Sequence, residues 1–364
     1  MIIQNIYYNK FIIIYIFYFN NILNIISIIF LVRGNLMRYK FKNLVFSGGG
    51  ILGIAYLGSL DYLYKTGLIH PIINLAGTSA GAITACLVSF NLPFEELSTM
   101  LNSLDYHKIP QKDDNSEALR TLPQIIKDQL SKISDNIDCI YRLIKSFGWY
   151  SSQYLYEWIK EQIASQFDIE KKVPPYTFAD FKDSTLHKNE QIFKDLYIIG
   201  TDISKNSSVV FSYETTPYME VAEAVRISMS VPLIFESIAS SCNTNETQPN
   251  GLYIDGGMLY NYPINLFDNK YRPKDTLGIY FKSTPTPEPI NNLVDFISSA
   301  LSCTGSIQSM LFESHPENIS RSICIHTGDI SPFNFDVSPH DDTYNFLYEQ
   351  GYRAAEIYFS LNRF

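Results

Sequence analysis

Short apolar runs and longer amphipathic stretches alternate along most of this chain. Residues 43–47, 72–76, 195–202, 208–212, 252–254, 276–281 and 321–327 are apolar and bounded by turn residues, the pattern of buried strands. Between them the apolar positions recur at helical spacing. Ile54, Leu57, Leu60 and Leu63 predict a helix that stops at Gly67, a residue suited to the position after a helix end. Residues 80–90 predict a second helix. A third begins at Pro93, with Glu95 and Glu96 near its positive end. Residues 119–147 carry a long apolar stripe, read first as ordinary packing and second as a lid over a site. Ser151 or Ser152 is placed to cap a helix reaching Phe167, and 219–230 and 290–312 read as helices. Asp341 or Asp342 opens a last helix with Tyr344, Leu347, Tyr348, Tyr352, Ala355 and Tyr358 facing inward. Residues 105–118 and 239–251 read as loops, and Thr284 to Pro289 as a proline-rich connector. Strands that alternate with helices favour a layered α/β sheet. No linker is evident after residue 42, so residues 37–364 read as one catalytic domain.

The N-terminus breaks this pattern. Residues 11–32 are long and apolar enough for one membrane span, with Arg33, Arg38, Lys40 and Lys42 following. That order would hold the rest of the chain on the cytosolic side. The competing reading makes residues 1–36 an extension that the mature protein lacks, because Met37 stands just before the first strand. The net charge of -9 and the lack of a basic stripe argue against a nucleic-acid partner. Five scattered cysteines without a Cys/His cluster suggest reduced thiols and no bound metal or other cofactor.

Two stretches carry candidate chemistry. Gly77-Thr78-Ser79-Ala80-Gly81 joins an apolar strand to a small-residue helix, the setting of a nucleophile elbow, which holds a serine hydroxyl on a strained turn at a helix N-terminus. Gly48-Gly49-Gly50, with Gly53 beyond, forms a turn whose bare amides can converge on an anion, as an oxyanion requires. A serine needs a base. His315, His326 and His340 come late enough to complete a Ser-His-Asp arrangement, His326 best because it follows a strand. The rival is Asp255, which ends an apolar strand and precedes Gly256 and Gly257.

The glycine triplet, the G-T-S-A-G elbow and Asp255-Gly256-Gly257 occur in this order, with Ala224 to Pro232 and the Asn261 and Pro263 positions between or beyond them. Together they resemble the patatin-like phospholipase family. The resemblance implies a mostly parallel central sheet between helix layers in a three-layer architecture. It also implies a Ser–Asp dyad with neither histidine nor metal. Ser79 would be the nucleophile, Asp255 the general base, and the amides of Gly48, Gly49 and Gly50 the oxyanion hole. The substrate would be a lipid ester, phospholipid above all, met at a membrane surface and cleaved through an acyl-enzyme. Many family members carry Arg or Lys where this chain has Leu52; Arg226 could compensate, or pair with Glu223 or Glu220 on its own helix. The alternatives are a Ser-His-Asp esterase and a lipid-binding protein without activity.

Overall fold

The structure is a computed structural model that describes residues 41–110, 137–243, 245, 248–284, 290 and 293–361. The strands are β1 (Asn43–Phe46), β2 (Asn74–Thr78), β3 (Gly148–Tyr150), β4 (Asp195–Asp202), β5 (Ser207–Ser212), β6 (Leu233–Phe235), β7 (Ile238–Ser240), β8 (Gly251–Asp255), β9 (Thr276–Lys282) and β10 (Ser322–His326). The helices are α1 (Ile54–Lys65), α2 (Ala80–Ser89), α3 (Phe94–Asn102), α4 (Ile137–Ser146), α5 (Gln153–Ala164), α6 (Phe178–Lys182), α7 (Val221–Ser228), α8 (Gly257–Tyr260), α9 (Leu293–Glu313), α10 (Pro316–Ser320) and α11 (Asp342–Leu361).

The main sheet runs β10-β9-β1-β2-β4 in parallel, then β8 and β7 antiparallel, with β5 also on β4. Side chains alternate across it, as a period of two demands. Leu44, Phe46, Leu75, Leu196 and Ile198 enter the large core shared with α1, α2 and α11. Val45 and Ala76 face the other side, where Phe267 covers them beside Tyr197 of β4. On that second face Phe312 of α9 meets Tyr262 and Tyr280. The expected mostly parallel sheet between two covering layers is what forms.

Several boundaries differ from expectation for local reasons. Pro93 lies just before α3 rather than in its first turn. Ser152 flanks α5 without capping it; Ser151 Oγ accepts from the Gln153 N–H at 3.2 Å instead. Asp341 does cap α11, accepting from the Tyr344 N–H at 2.7 Å. The short parallel pair β3 and β6, and strand β7 at the edge of the predicted loop, have too few residues to show a period. Of the stripe at 119–147, only α4 and the turn after it are described; residues 111–136 lie outside, as do 1–40 with the apolar segment 11–32. Among the described residues, no helix is long and apolar enough to cross a membrane.

The register on β4 brings two distant strand ends together. β5 occupies one edge of β4 over Tyr197–Asp202. On the other edge β2 pairs with Asp195–Ile199 and β8 with Gly200–Asp202. So β2 and β8 meet end to end along one edge, running toward each other. β2 ends at Thr78 opposite Ile199, and β8 ends at Asp255 opposite Gly200.

Candidate active site

Ser79 follows β2 at φ 54° and ψ −122°, in the left-handed region that a side chain normally avoids. This is the strained elbow that the glycine spacing predicts. Gly81 shows why small residues flank it: a Cβ there would stand 2.6 Å from the carbonyl oxygens of both Phe46 and Ser47. The Ser79 N–H donates to Ser228 Oγ at 2.9 Å, and that hydroxyl donates to the Ile199 carbonyl at 2.5 Å. Ser228 thus ties the elbow to β4 from the end of α7.

Asp255 is almost fully buried, 4% exposed. Its main chain is fixed at both ends. The N–H donates to the Ser230 carbonyl at 2.8 Å, and the carbonyl accepts from Thr201 Oγ1 at 3.0 Å. Oδ1 accepts from the Gly257 N–H at 2.5 Å. Oδ2 is buried and has no hydrogen-bond partner among the described residues. The Ser79 hydroxyl stands close enough to favour the charged carboxylate, yet makes no hydrogen bond of ordinary geometry to Oδ2. Burial dominates and raises the carboxyl pKa to about 7, against smaller opposing pulls from Gly257 and Ser79.

The glycine turn lies beside the elbow. A Cβ on Gly48 would come within 3.3 Å of the Ser79 Cβ. Gly50 takes φ 54° and packs against the Pro332 carbonyl, which also accepts the Ile51 N–H at 2.9 Å. Tyr56 Oη donates to the Ser47 carbonyl at 2.5 Å and steadies the turn from below. The three amides expected to form the oxyanion hole are not equally placed. The Gly48 N–H donates to the Asn261 carbonyl at 3.0 Å, so this amide is occupied. Gly49 and Gly50 keep amides without a partner among the described residues. Gly53 meets Ala80 at the start of α2, and Gly77 stacks on Gly81. Gly256 runs against the Ile199 backbone, and Gly257 lies between Asp255 and Asn261.

Other candidates fall elsewhere. His326 ends β10, three strand positions from β2, or roughly 14 Å at the usual strand spacing, and its side chain reaches Cys324 at 3.9 Å. His315 bonds its own helix end, and His340 stacks edge-on to Tyr344. Arg226 pairs with neither Glu220 nor Glu223. It contacts Glu236 in an ion pair at 2.5 Å, donates to Ser152 Oγ at 2.8 Å and lies over the Tyr156 ring. Those bonds hold its guanidinium between α5 and β6, with its charge paired to Glu236. Leu52 is buried in the main core. Asp202 closes a turn by accepting from the Ser204 and Lys205 amides. Among the described residues, no cluster of three or more His, Cys, Asp or Glu side chains could hold a metal ion.

Sequence reasoning missed the supports. Ser228 and Ser230 lie inside Ala224–Pro232, yet no pattern says what their polar atoms bind. Thr201, Asn261 and Gln308 act through contacts that no local pattern announces.

The family model for patatin-like phospholipases matches residues 44–268, which span the glycine turn, the elbow and Asp255. An uncharacterized protein of Acanthamoeba polyphaga mimivirus is 28% identical over 328 residues, 87% of this chain and 93% of that protein. A protein of Invertebrate iridescent virus 6, described as a probable lipid hydrolase, is 28% identical over 240 residues, 64% of this chain and 67% of the other. Among solved structures, VipD from Legionella pneumophila superposes with a TM-score of 0.55 at 19% identity, covering 88% of this chain and 67% of VipD, a likeness of fold. With the matched region carrying all three turns, the chain belongs to the patatin-like phospholipase family.

Proposed function

We propose that this chain is a lipid acyl hydrolase that cleaves carboxylic esters through an acyl-enzyme. Ser79 is the nucleophile and Asp255 the general base. Asp255 Oδ2 takes the hydroxyl proton as Ser79 Oγ attacks the acyl carbonyl carbon. The carbonyl oxygen gains the negative charge and is held by the free amides of Gly49 and Gly50. The ester C–O bond then breaks, and the leaving alkoxide recovers the proton from Asp255. Water repeats the sequence on the acyl-Ser79 ester, giving the fatty acid and restoring both side chains.

The observation that carries this reading is the Asp255 carboxyl itself. One oxygen is fixed by Gly257, the other is buried without a partner among the described residues, Ser79 stands beside the carboxyl, and the pKa stands near 7. A base with that value can accept and return a proton near neutral pH at small cost. The lipid substrate class is supported by the family and by the viral relative described as a probable lipid hydrolase. Residues 37–364 then form the catalytic unit, working at a lipid surface, with residues 11–32 as an anchor that leaves it facing the cytosol.

The test is a panel of phospholipids and neutral glycerides with chelator present, run beside labelling by a fluorophosphonate. Wild type should release fatty acid and take the label on Ser79, and Ser79→Ala should do neither. Undiminished hydrolysis by Ser79→Ala would overturn the assignment. A folded wild type that neither labels nor hydrolyses any ester of the panel would leave a lipid-binding protein as the better reading.

A further inference from the structure

We infer that Gln308 is a positioning residue for the Asp255 loop, supplied by a helix beyond the family-matched region. The inference rests on the proposed roles of Ser79 and Asp255. α9 begins well past residue 268, and its Gln308 side chain turns inward to the loop that follows β8. Its Oε1 accepts from the Asn261 N–H at 2.8 Å. Its Nε2 donates to the Gly257 carbonyl at 2.8 Å and the Met258 carbonyl at 3.2 Å. One amide therefore satisfies three main-chain groups of a five-residue stretch, using both its acceptor and its donor ends.

That stretch controls both halves of the site. Gly257 supplies the N–H that holds Asp255 Oδ1. Asn261 supplies the carbonyl that occupies the Gly48 N–H and so sets the glycine turn. α8 between them is a single turn, too short to hold its own shape. Gln308 supplies the stiffness that the loop lacks, fixing the carboxylate and the oxyanion amides relative to each other. α9 itself is seated by other groups: Phe312 against Tyr262 and Tyr280, and Glu313 to Lys282 at 2.6 Å. Removing the Gln308 side chain should therefore loosen the loop and leave the helix in place.

The experiment uses the full chain with Gln308→Ala, Gln308→Glu and, as a control at an exposed position of α9, Ser309→Ala. Gln308→Glu keeps the acceptor for Asn261 and loses the donor for Gly257 and Met258. On a soluble nitrophenyl ester, kcat should fall roughly 10–100-fold in Gln308→Ala with KM little changed, the cost of misplacing reacting groups by a fraction of an ångström to an ångström. With the Gly257 N–H less well held, Asp255 loses a partner that favours its charged form. The acid limb of the rate profile should move upward by about half a pH unit or more in both Gln308 variants. Amide hydrogen exchange at Gly257 and Asn261 should speed up in Gln308→Ala and not in Ser309→Ala, a readout independent of activity. Wild-type exchange, kcat and pH profile in a folded Gln308→Ala would overturn the inference. If the alanine variant does not fold, a wild-type pH profile and wild-type exchange at Gly257 in Gln308→Glu would overturn it equally. If Ser79→Ala and Asp255→Asn remain active while exchange responds, the site assignment fails instead.

Discussion

The elbow and the Asp255 loop place two side chains within reach of each other, and they are built in opposite ways. The elbow is local. Gly77, Ser79 and Gly81 lie within five residues, and the φ of 54° at Ser79 is imposed by a strand that must turn at once into a helix. The Asp255 loop is assembled from a distance. Thr201, Ser230 and Gln308 hold its backbone, and Asn261 ties it to Gly48. Strain in the first region is contained by packing, whereas order in the second depends on hydrogen bonds from three residues distant in the chain. A local turn should therefore fail as a fold when altered, and a distributed one should fail first as a catalyst.

Asp255→Asn tests this most sharply. Activity should fall at least ~1000-fold, equivalent to about 4 kcal/mol in the barrier. Stability should move the other way. The carboxyl titrates at 3.8 when unfolded and at about 7 in the fold, so the folded chain binds this proton more tightly. Stability from this group is fully present below pH 4 and is lost as pH rises through 7. The neutral amide escapes that loss, worth up to about 4 kcal/mol at roughly 1.4 per pH unit, so Asp255→Asn should melt higher than wild type at pH 8 and equally at pH 4. The same pKa predicts that wild-type kcat/KM rises with pH through about 7 and then levels off.

Gly81→Ala should act on folding. Its new Cβ would meet two carbonyl oxygens at 2.6 Å, and backbone cannot give way as a side chain can. A loss of about 3 kcal/mol or more is expected, read by denaturant titration, with activity lost only in proportion to unfolded protein. Ser228→Ala unties the elbow from β4, because the Ser228 hydroxyl accepts from Ser79 and donates to Ile199. Leaving both groups unpaired should cost about 1–3 kcal/mol and also slow acylation. Thr201→Val removes one bond to the Asp255 carbonyl, should cost roughly 1 kcal/mol, and should lower kcat severalfold without moving the melting curve much. If Thr201→Val proved as destabilising as Gly81→Ala, the distinction between the two turns would fail.

The same distinction explains what could be read in advance. The glycine turn, the elbow and the end of β8 announce themselves through adjacent residues, as do the apolar strands and the helices α1, α2 and α11. Arg226 illustrates the opposite case. The local sequence offers Glu220 and Glu223 as partners, but Glu236, just past the strand that follows the helix, takes the ion pair. Gly48 is another: its amide looks as free as its neighbours until Asn261 arrives from beyond Asp255.

The order of residues alone determined the alternation of strands and helices, the strained serine turn and the presence of a carboxylate at a strand end, because each follows from spacing within a few residues. Tertiary structure decided that β2 and β8 share one edge of β4 and meet head-on. It also decided which amides stay free and which carboxylate oxygen goes unpaired. Strand register and hydrogen-bond allocation depend on competition among groups scores of residues apart, and that competition is settled only when the chain is packed.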